Sequence, residues 1–276
     1  MLYFVGVDPF RREYDYLSAS SPEWGKIALL PWDEKIFGFP VADLQLGPNP
    51  PRIQDLPLFV NALEAYSART KAELVSTHTR GDDMSAIALL ERIGFSLVDF
   101  SLMATTSRFK TALASSSGTA LREATAEDHP SICRIAGTAF QFGRYHTDPR
   151  FPRDLANARY VHWMQNALSG ANPNNFVFVL GPPREIVGFM DAVICDGRAD
   201  LRLAAIDLQK STGFSGILLY ADSIRAVQEH GAKSVLAKVA AANTPVINVL
   251  SMLGFQFSSP EATFHWHALN PSNIVP

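Results

Sequence analysis

Residues 207–224 read DLQKSTGFSGILLYADSI, the most informative segment of the chain for its architecture. The alternating apolar segment at 200–208 predicts a strand before it, and ILLYADSI continues as an amphipathic helix. The turn between them contains Gly213, Ser215 and Gly216, small residues that let a ligand approach the backbone. The first amides of a helix lack helical partners and lie at the positive end of its dipole. The turn therefore predicts a binding site for a pyrophosphate group.

The segment that follows this helix occurs twice in the chain. Its two copies are SVLAKVA (234–240) followed by NTPVINVLSMLGF (243–255), and ELVSTHT (73–79) followed by DMSAIALLERIGF (83–95). Asp83 and Asn243 are suitable helix N-caps. A glycine after each helix allows a left-handed turn, and a phenylalanine then opens a strand. The repeat predicts two related α/β halves, each with a mixed central sheet flanked by helices.

A Ser/Thr-rich stretch divides the two halves. We predict a linker at 107–119, an N-terminal domain at 1–106 and a C-terminal domain at 120–276. In the first half, the helix predicted within 53–70 follows no glycine turn. We therefore expect that only the C-terminal domain has the pyrophosphate site.

The composition excludes several classes of protein. The 276 residues are 47% hydrophobic with a net charge of −3. These values favour a folded protein that acts on small molecules and argue against nucleic-acid binding. No apolar run approaches the ~20 residues of a membrane span, and no signal peptide is evident, so a cytoplasmic location is expected. Two cysteines are too few for a disulfide framework. His265 and His267 alternate on the last predicted strand, but no third ligand follows at suitable spacing, so no metal site is expected.

The order of strand, glycine turn, helix, strand and Asn-capped helix resembles the GCN5-related N-acetyltransferase (GNAT) superfamily. Its pyrophosphate motif is Q/R-x-x-G-x-G/A, and the matching residues here are 210–215. Lys210 replaces Gln/Arg and Ser215 replaces Gly/Ala. The resemblance implies a duplicated GNAT fold and acetyl-CoA as co-substrate.

A narrower resemblance covers most of the chain. Residues 30–44 (LPWDEKIFGFPVADL) and 143–170 (GRYHTDPRFPRDLANARYVHWMQNALSG) are similar to dTDP-fucosamine acetyltransferase-like proteins. This resemblance implies acetyl transfer to a primary amine, on a nucleotide-linked amino sugar, by direct attack without an acyl-enzyme. A homodimer is left open.

The resemblance also implies the site residues. By position, the pantetheine and the thioester carbonyl would lie against Ala205, Ile206 and Leu208, the pyrophosphate against Lys210, Gly213, Phe214, Ser215 and Gly216, and the pantetheine arm against Asn243. Asn243 is equally well explained as a helix cap alone.

The acceptor and the proton-transfer groups are expected around the loop at 144–150. Arg144 and Arg150 suit a phosphate or carboxylate, with Tyr145 and Asp148 beside them. His146 has a side chain whose ordinary pKa near 6.5 suits a base, and Tyr160 is a candidate acid.

Many GNAT proteins place a tyrosine acid seven residues after the asparagine, and here that position is Leu250. Three explanations stay open: another segment supplies the acid, solvent does, or catalysis is slow or lost. Two alternative functions follow, namely acyl transfer to a different small amine, and a non-catalytic protein that binds or senses CoA.

Overall fold

The computed structural model describes residues 13–108 and 120–268 and has a mixed α/β architecture. The chain forms two compact units. Unit 2 is Ser101–Ser258, and unit 1 combines the chain up to Phe100 with the chain from Ser259 onwards. Most of the predicted linker at 107–119 lies outside the described residues. None of the described helices has the length and apolar content that a membrane span needs.

Unit 1 has a mixed sheet with helices. Its strands lie in the order β1 (Asp15–Tyr16), β2 (Gly25–Leu29), β3 (Val41–Leu46), β4 (Leu74–Arg80) and β12 (Glu261–His267). The β3–β4 pair is parallel and the other pairs are antiparallel. The helices are α1 (Pro31–Phe37), α2 (Leu56–Thr70) and α3 (Met84–Arg92). The apolar faces of α2 and α3 close a core with β12 that includes the fully buried Phe59, Leu63, Leu90 and Phe264.

Unit 2 has the same kind of sheet. The strand order is β5 (Ser96–Thr106), β10 (Ser234–Ala240), β9 (Arg198–Ile206), β8 (Gly188–Cys195), β7 (Asn175–Leu180) and β6 (Leu121–Glu123). Strand β5 belongs to this unit from Ser101 onwards, and β11 (Gln256–Phe257) also pairs with it. Among the described strands of this unit, only β9 and β10 are parallel. The helices are α4 (His129–Ala139), α5 (Arg144–Thr147), α6 (Arg153–Ala167), α7 (Ser215–Glu229) and α8 (Thr244–Met252).

Apolar side chains fill both faces of the unit 2 sheet. On one face, α7 and α8 contribute Leu219, Val227 and Leu250 to a core with β9 and β10. On the other face, α4 and α6 contribute Ile132 and Met164 to a second core. A sheet covered on both faces is typical of α/β proteins, and the predicted α/β fold class is confirmed.

The sequence repeat corresponds to a structural repeat inside each unit. Asp83 Oδ1 accepts the amide of Ala86 at 3.0 Å, and Asn243 Oδ1 accepts the amide of Val246 at 3.4 Å. A glycine with positive φ follows each helix, Gly94 in one copy and Gly254 in the other. The amide of the next residue then donates to a leucine carbonyl at 3.0 Å, from Phe95 to Leu90 and from Phe255 to Leu250. These are N-cap and left-handed C-cap arrangements that the local sequence specifies.

The end of the chain differs from the sequence prediction. The sequence predicts a single strand at 255–268, but the structure divides it into β11 (Gln256–Phe257) and β12 (Glu261–His267). Pro260 lies in this break, where its missing amide hydrogen interrupts a ladder. After the break, β12 pairs with β4 in unit 1. The last strand therefore belongs to unit 1, although it follows the residues of unit 2 in the chain.

Candidate functional site

The parallel strands β9 and β10 separate within the unit 2 sheet. Their pairing begins at Arg198–Ser234 and ends at Leu201–Ala237. Beyond this point β9 pairs only with β8, while β10 continues alongside β5. The edge of β9 that faces away from β8 therefore has no strand partner at 202–206 among the described residues. Unpaired strand amides of this kind can bind a carbonyl group.

A β-bulge marks the point of separation. Asp191 of β8 is opposite Leu203, and its neighbour Ala192 is opposite Leu201, so Arg202 is the extra residue of β9. A bulge bends its strand and increases the local twist. It also exchanges the two faces of β9, since Leu201 belongs to the α7–α8 core and Leu203 to the α4–α6 core.

The β9–α7 turn (207–214) begins on a buried carboxylate. Asp207 Oδ1 accepts the amide of Gln209 at 3.0 Å, and its carbonyl accepts the amides of Lys210 and Ser211 at 3.0 and 2.8 Å. Arg134 of α4 donates to Asp207 Oδ2 at 2.6 Å. This hydrogen-bonded ion pair holds the pKa of the Asp207 carboxyl below its usual range.

The two glycines of this segment face open space. A Cβ built on Gly213 or on Gly216 meets no atom within 4 Å. Gly216 lies in the first turn of α7, where helical amides have no carbonyl partner within the helix. The hydroxyl of Ser215 is directed inwards and accepts the amide of Thr212 at 2.9 Å. The start of α7 therefore presents open backbone suited to an anionic group.

The predicted cofactor residues fall into exposed and buried sets. Leu208 and Phe214 are 73% and 74% exposed, and Lys210 is also exposed. Ala205 and Ser215 are buried, so their contribution to a ligand is made by the backbone. Leu208 lies beyond the end of β9 at Ile206, two residues earlier than the predicted strand end. The structure thus brings Ala205, Ile206 and the glycine turn together along one strand end.

Leu250, at the position of the expected tyrosine, belongs to the core. It is fully buried among residues of α7 and β10. Asn243, the N-cap of the same helix, accepts a hydrogen bond from the amide of Val246. A leucine side chain cannot donate a proton, so position 250 itself does not supply the acid.

The residues of the predicted acceptor loop form the short helix α5 and the turn after it. Tyr145 is buried and packs on Phe151 at 4.8 Å between ring centroids, with the Arg144 and Arg159 guanidinium groups over its ring. Asp148 is buried and accepts the amide of Arg150 at 3.0 Å. Tyr145 and Asp148 therefore support the loop, and Arg144 and Arg150 are its more exposed charged groups.

His146 and Tyr160 are neighbours, with ring centroids 5.6 Å apart. His146 Nε2 lies 2.8 Å from Asn157 Oδ1, which makes Nε2 the donor and Nδ1 the unprotonated nitrogen. Nδ1 is buried and has no hydrogen-bond partner among the described residues. Burial lowers the pKa of His146, so the ring is neutral.

The sequence reasoning missed a polar cluster on the α6 face of the sheet. Asp191, which is fully buried, accepts from Trp163 Nε1 at 2.8 Å, from Asn175 Nδ2 at 2.7 Å and from Arg202 Nη2 at 3.0 Å. Arg202 Nη2 also donates to Asn175 Oδ1. An aspartate in the apolar run GFMDAVIC was the sequence signal for it, since a buried charge needs partners.

Comparison with solved structures identifies the fold as that of the GCN5-related N-acetyltransferases. A GCN5-related N-acetyltransferase from Sphaerobacter thermophilus matches with a TM-score of 0.63 at 16% identity, over 89% of this chain and 77% of that one. One from Kribbella flavida matches with a TM-score of 0.59 at 13% identity, over 92% and 89%.

A third structure is described as a tandem GNAT protein from the clavulanic acid biosynthesis pathway. It matches with a TM-score of 0.58 at 14% identity, over 89% of this chain and 79% of that one. No family model and no curated protein matches the chain. The predicted GNAT fold is confirmed, and the narrower resemblance to dTDP-fucosamine acetyltransferases stays a prediction.

Proposed function

We propose that this chain is an N-acetyltransferase that transfers an acetyl group from acetyl-CoA to a primary amine by direct attack. The observation that carries the proposal is that the unpaired edge of β9 at 202–206 leads directly into the open helix start at Gly213 and Gly216. Both features are suited to one elongated ligand with a carbonyl at one end and phosphates further along.

The fit to acetyl-CoA is specific at three places. The amides at the start of α7 would bind the pyrophosphate, and exposed Lys210 adds a positive charge. The unpaired edge of β9 would hold the pantetheine and polarise the thioester carbonyl. Exposed Leu208 and Phe214 would lose water when the cofactor covers them.

In unit 1, the connection that corresponds to the β9–α7 turn runs from β3 to α2. Gly47 follows β3, and a Cβ there would lie 1.9 Å from the carbonyl oxygen of Glu23. This glycine is needed for close packing of two backbone segments, and no glycine lies between it and the start of α2 at Leu56. We therefore propose that the domain within 1–106 is a GNAT-like domain without a CoA site.

For the acceptor, we propose a nucleotide-linked amino sugar bound near α5. Arg144 and Arg150 would bind its phosphates, and buried Tyr145 and Asp148 would hold the loop in place. Tyr160 is the proposed proton donor to the leaving thiolate. Because His146 Nδ1 is enclosed, we propose that this histidine positions Tyr160 through ring contact.

The cofactor site is tested by a helix-position comparison. Gly216 and Ser85 are both the second residue of their helices, α7 and α3. Gly216→Val would fill the open space at α7 and is expected to weaken CoA binding at least tenfold by calorimetry. Ser85→Val should leave the affinity unchanged. Equal affinities for the two variants would place CoA elsewhere.

The reaction is tested by thiol release from acetyl-CoA with a panel of acceptors: a dTDP-linked amino sugar, a free amino sugar, amino acids and a polyamine. Release with the nucleotide-linked sugar alone supports the proposal. Release with another amine indicates a different acceptor. CoA binding without release with any amine indicates a CoA-binding protein, the alternative suggested by Leu250.

A further inference from the structure

Asp200 lies in β9, one residue before the pairing of β9 with β10 ends. It is opposite Leu236 of β10, and the next pair, Leu201–Ala237, is the last of the ladder. Its neighbours Ala199 and Leu201 both face the α7–α8 core. Since side chains alternate along a strand, Asp200 lies on the opposite face, which Asp191 and Trp163 mark as the α6 face.

Asp200 differs from the other carboxylates of this region in having no partner. No hydrogen bond or ion pair to Asp200 occurs among the residues at 13–108 and 120–268, although the side chain is partly buried. Asp191, by contrast, has three donors. The Arg202 guanidinium does not neutralise Asp200 by contact, because its Nη2 is bonded to Asp191 and Asn175.

The charged groups around Asp200 oppose one another. On β9 these are Arg198 and Arg202, and on β8 Asp191. The neighbouring elements also carry Lys238, two residues past Leu236 on β10, and Arg159 of α6, whose guanidinium lies over Trp163. Burial is the largest influence and raises the pKa of Asp200 to about 7, with Asp191 acting in the same direction and the two β9 arginines against it.

We infer that Asp200 is the general base that removes the proton from the acceptor ammonium group. This inference rests on the proposed acetyl transfer and assigns a catalytic residue to it. The carboxylate lies where the strands separate, on the face opposite the α7–α8 core. It has no partner to lose when it binds a cation, and a base that is half ionised near neutral pH both accepts and releases protons.

The step balances without a further reactant. Asp200 Oδ accepts one proton from R–NH3+, and the neutral nitrogen forms a bond to the thioester carbonyl carbon. The C–S bond then breaks, Tyr160 donates its proton to the thiolate, and the second amine proton restores the Tyr160 hydroxyl. The products are the acetamide, CoA–SH and one proton, which Asp200 returns to solvent.

Asp200→Asn tests this assignment, with Asp196→Asn as the matched control. Asp196 is an exposed residue of the same β8–β9 hairpin, and its positive φ suits asparagine. The assay measures acetyl transfer from acetyl-CoA to the best amine of the panel between pH 5.5 and 9. Calorimetry with CoA is run on every variant.

The wild type is expected to lose kcat/KM as pH falls below about 7, because protonated Asp200 cannot act as a base. Asp200→Asn should lower kcat/KM at least 100-fold and abolish that limb of the profile, with unchanged CoA affinity. Asp200→Glu should recover part of the rate, and Asp196→Asn should behave as wild type.

An Asp200→Asn variant that keeps both the rate and the pH limb would overturn the inference while leaving the acetyltransferase proposal intact. A rate loss with the limb retained would also overturn it and indicate a positioning role. Absence of transfer by the wild type to every amine would overturn the inference together with the proposed function.

Discussion

Arg134 Nη2 lies 2.6 Å from Asp207 Oδ2, and this ion pair joins α4 to the turn that precedes α7. The carboxylate is buried while the guanidinium is about half exposed, so the pair is only partly screened by water. The same carboxylate accepts a hydrogen bond from the backbone amide of Gln209. This contact therefore holds the backbone that is proposed to bind the pyrophosphate.

Asp207→Asn is expected to keep the Gln209 contact and lose the charge. We expect a loss of about 1 kcal/mol in unfolding free energy and a several-fold weaker affinity for CoA. The pair contributes stability above about pH 4 and loses it as pH falls through the lowered pKa of Asp207. Urea unfolding at pH 7 and pH 3 checks both effects.

The control is Asp82→Asn, which breaks an ion pair of the same 2.6 Å length between Arg80 and Asp82. Both partners of that pair are exposed, so no change in unfolding midpoint is expected. Equal effects of the two variants would argue against a special role for Asp207.

Leu250→Tyr tests whether a tyrosine at position 250 can supply the proton donor expected there. Leu250 is fully buried in the α7–α8 core, so a larger side chain with a hydroxyl should overpack it. The expected cost is about 1–3 kcal/mol, with no gain in turnover. Leu90→Tyr, at the same place in the unit 1 repeat and also fully buried, should cost a similar amount. Higher turnover for Leu250→Tyr would instead show that the position reaches the reacting groups.

The stability of the loop around His146 should depend on pH. Burial lowers the pKa of His146, so the folded chain binds a proton less readily than the unfolded one. The contribution of the neutral ring is present above the ordinary histidine pKa near 6.5 and is lost as pH falls below it. His146→Gln should remove this loss between pH 6.5 and 5. His162→Gln, which changes an exposed histidine of α6, should keep the wild-type pH dependence of the thermal midpoint.

The sequence was sufficient to predict the parts of the fold that local chemistry specifies. The N-caps at Asp83 and Asn243, the glycines at 94 and 254 and strand β10 are where the sequence placed them. The N-caps and the glycine turns depend on contacts within about five residues, and β10 is visible as a local run of apolar residues. The open glycines at the start of α7 belong to the same category, because a strand, a small-residue turn and an amphipathic helix are adjacent in the chain.

Long-range pairing was outside the reach of the same reasoning. The bulge at Arg202 exists only because β8 and β9 pair in one register, and it determines which side chains meet Asp191. The pairing of β12 with β4 joins residues from opposite ends of the chain. The burial of Tyr145, expected to contact a ligand, follows from Phe151 and Arg159. None of these relationships has a local signal.

Asn243 is predicted to have two separable roles, and Asp83 provides the comparison. Both side chains cap a helix, through 3.4 and 3.0 Å contacts with the amides of Val246 and Ala86. Replacing either residue by alanine should cost about 1 kcal/mol. Serine retains an oxygen that caps, so Asn243→Ser and Asp83→Ser should unfold at the wild-type midpoint.

The serine variants separate capping from cofactor binding. Serine at 243 lacks the amide group, and if that group contacts the pantetheine arm, Asn243→Ser should weaken CoA binding several-fold at unchanged stability. Asp83→Ser should leave CoA affinity untouched, because unit 1 is proposed to have no CoA site. Wild-type affinity for Asn243→Ser would reduce Asn243 to a cap and leave the amides of β9 and α7 as the groups that hold CoA.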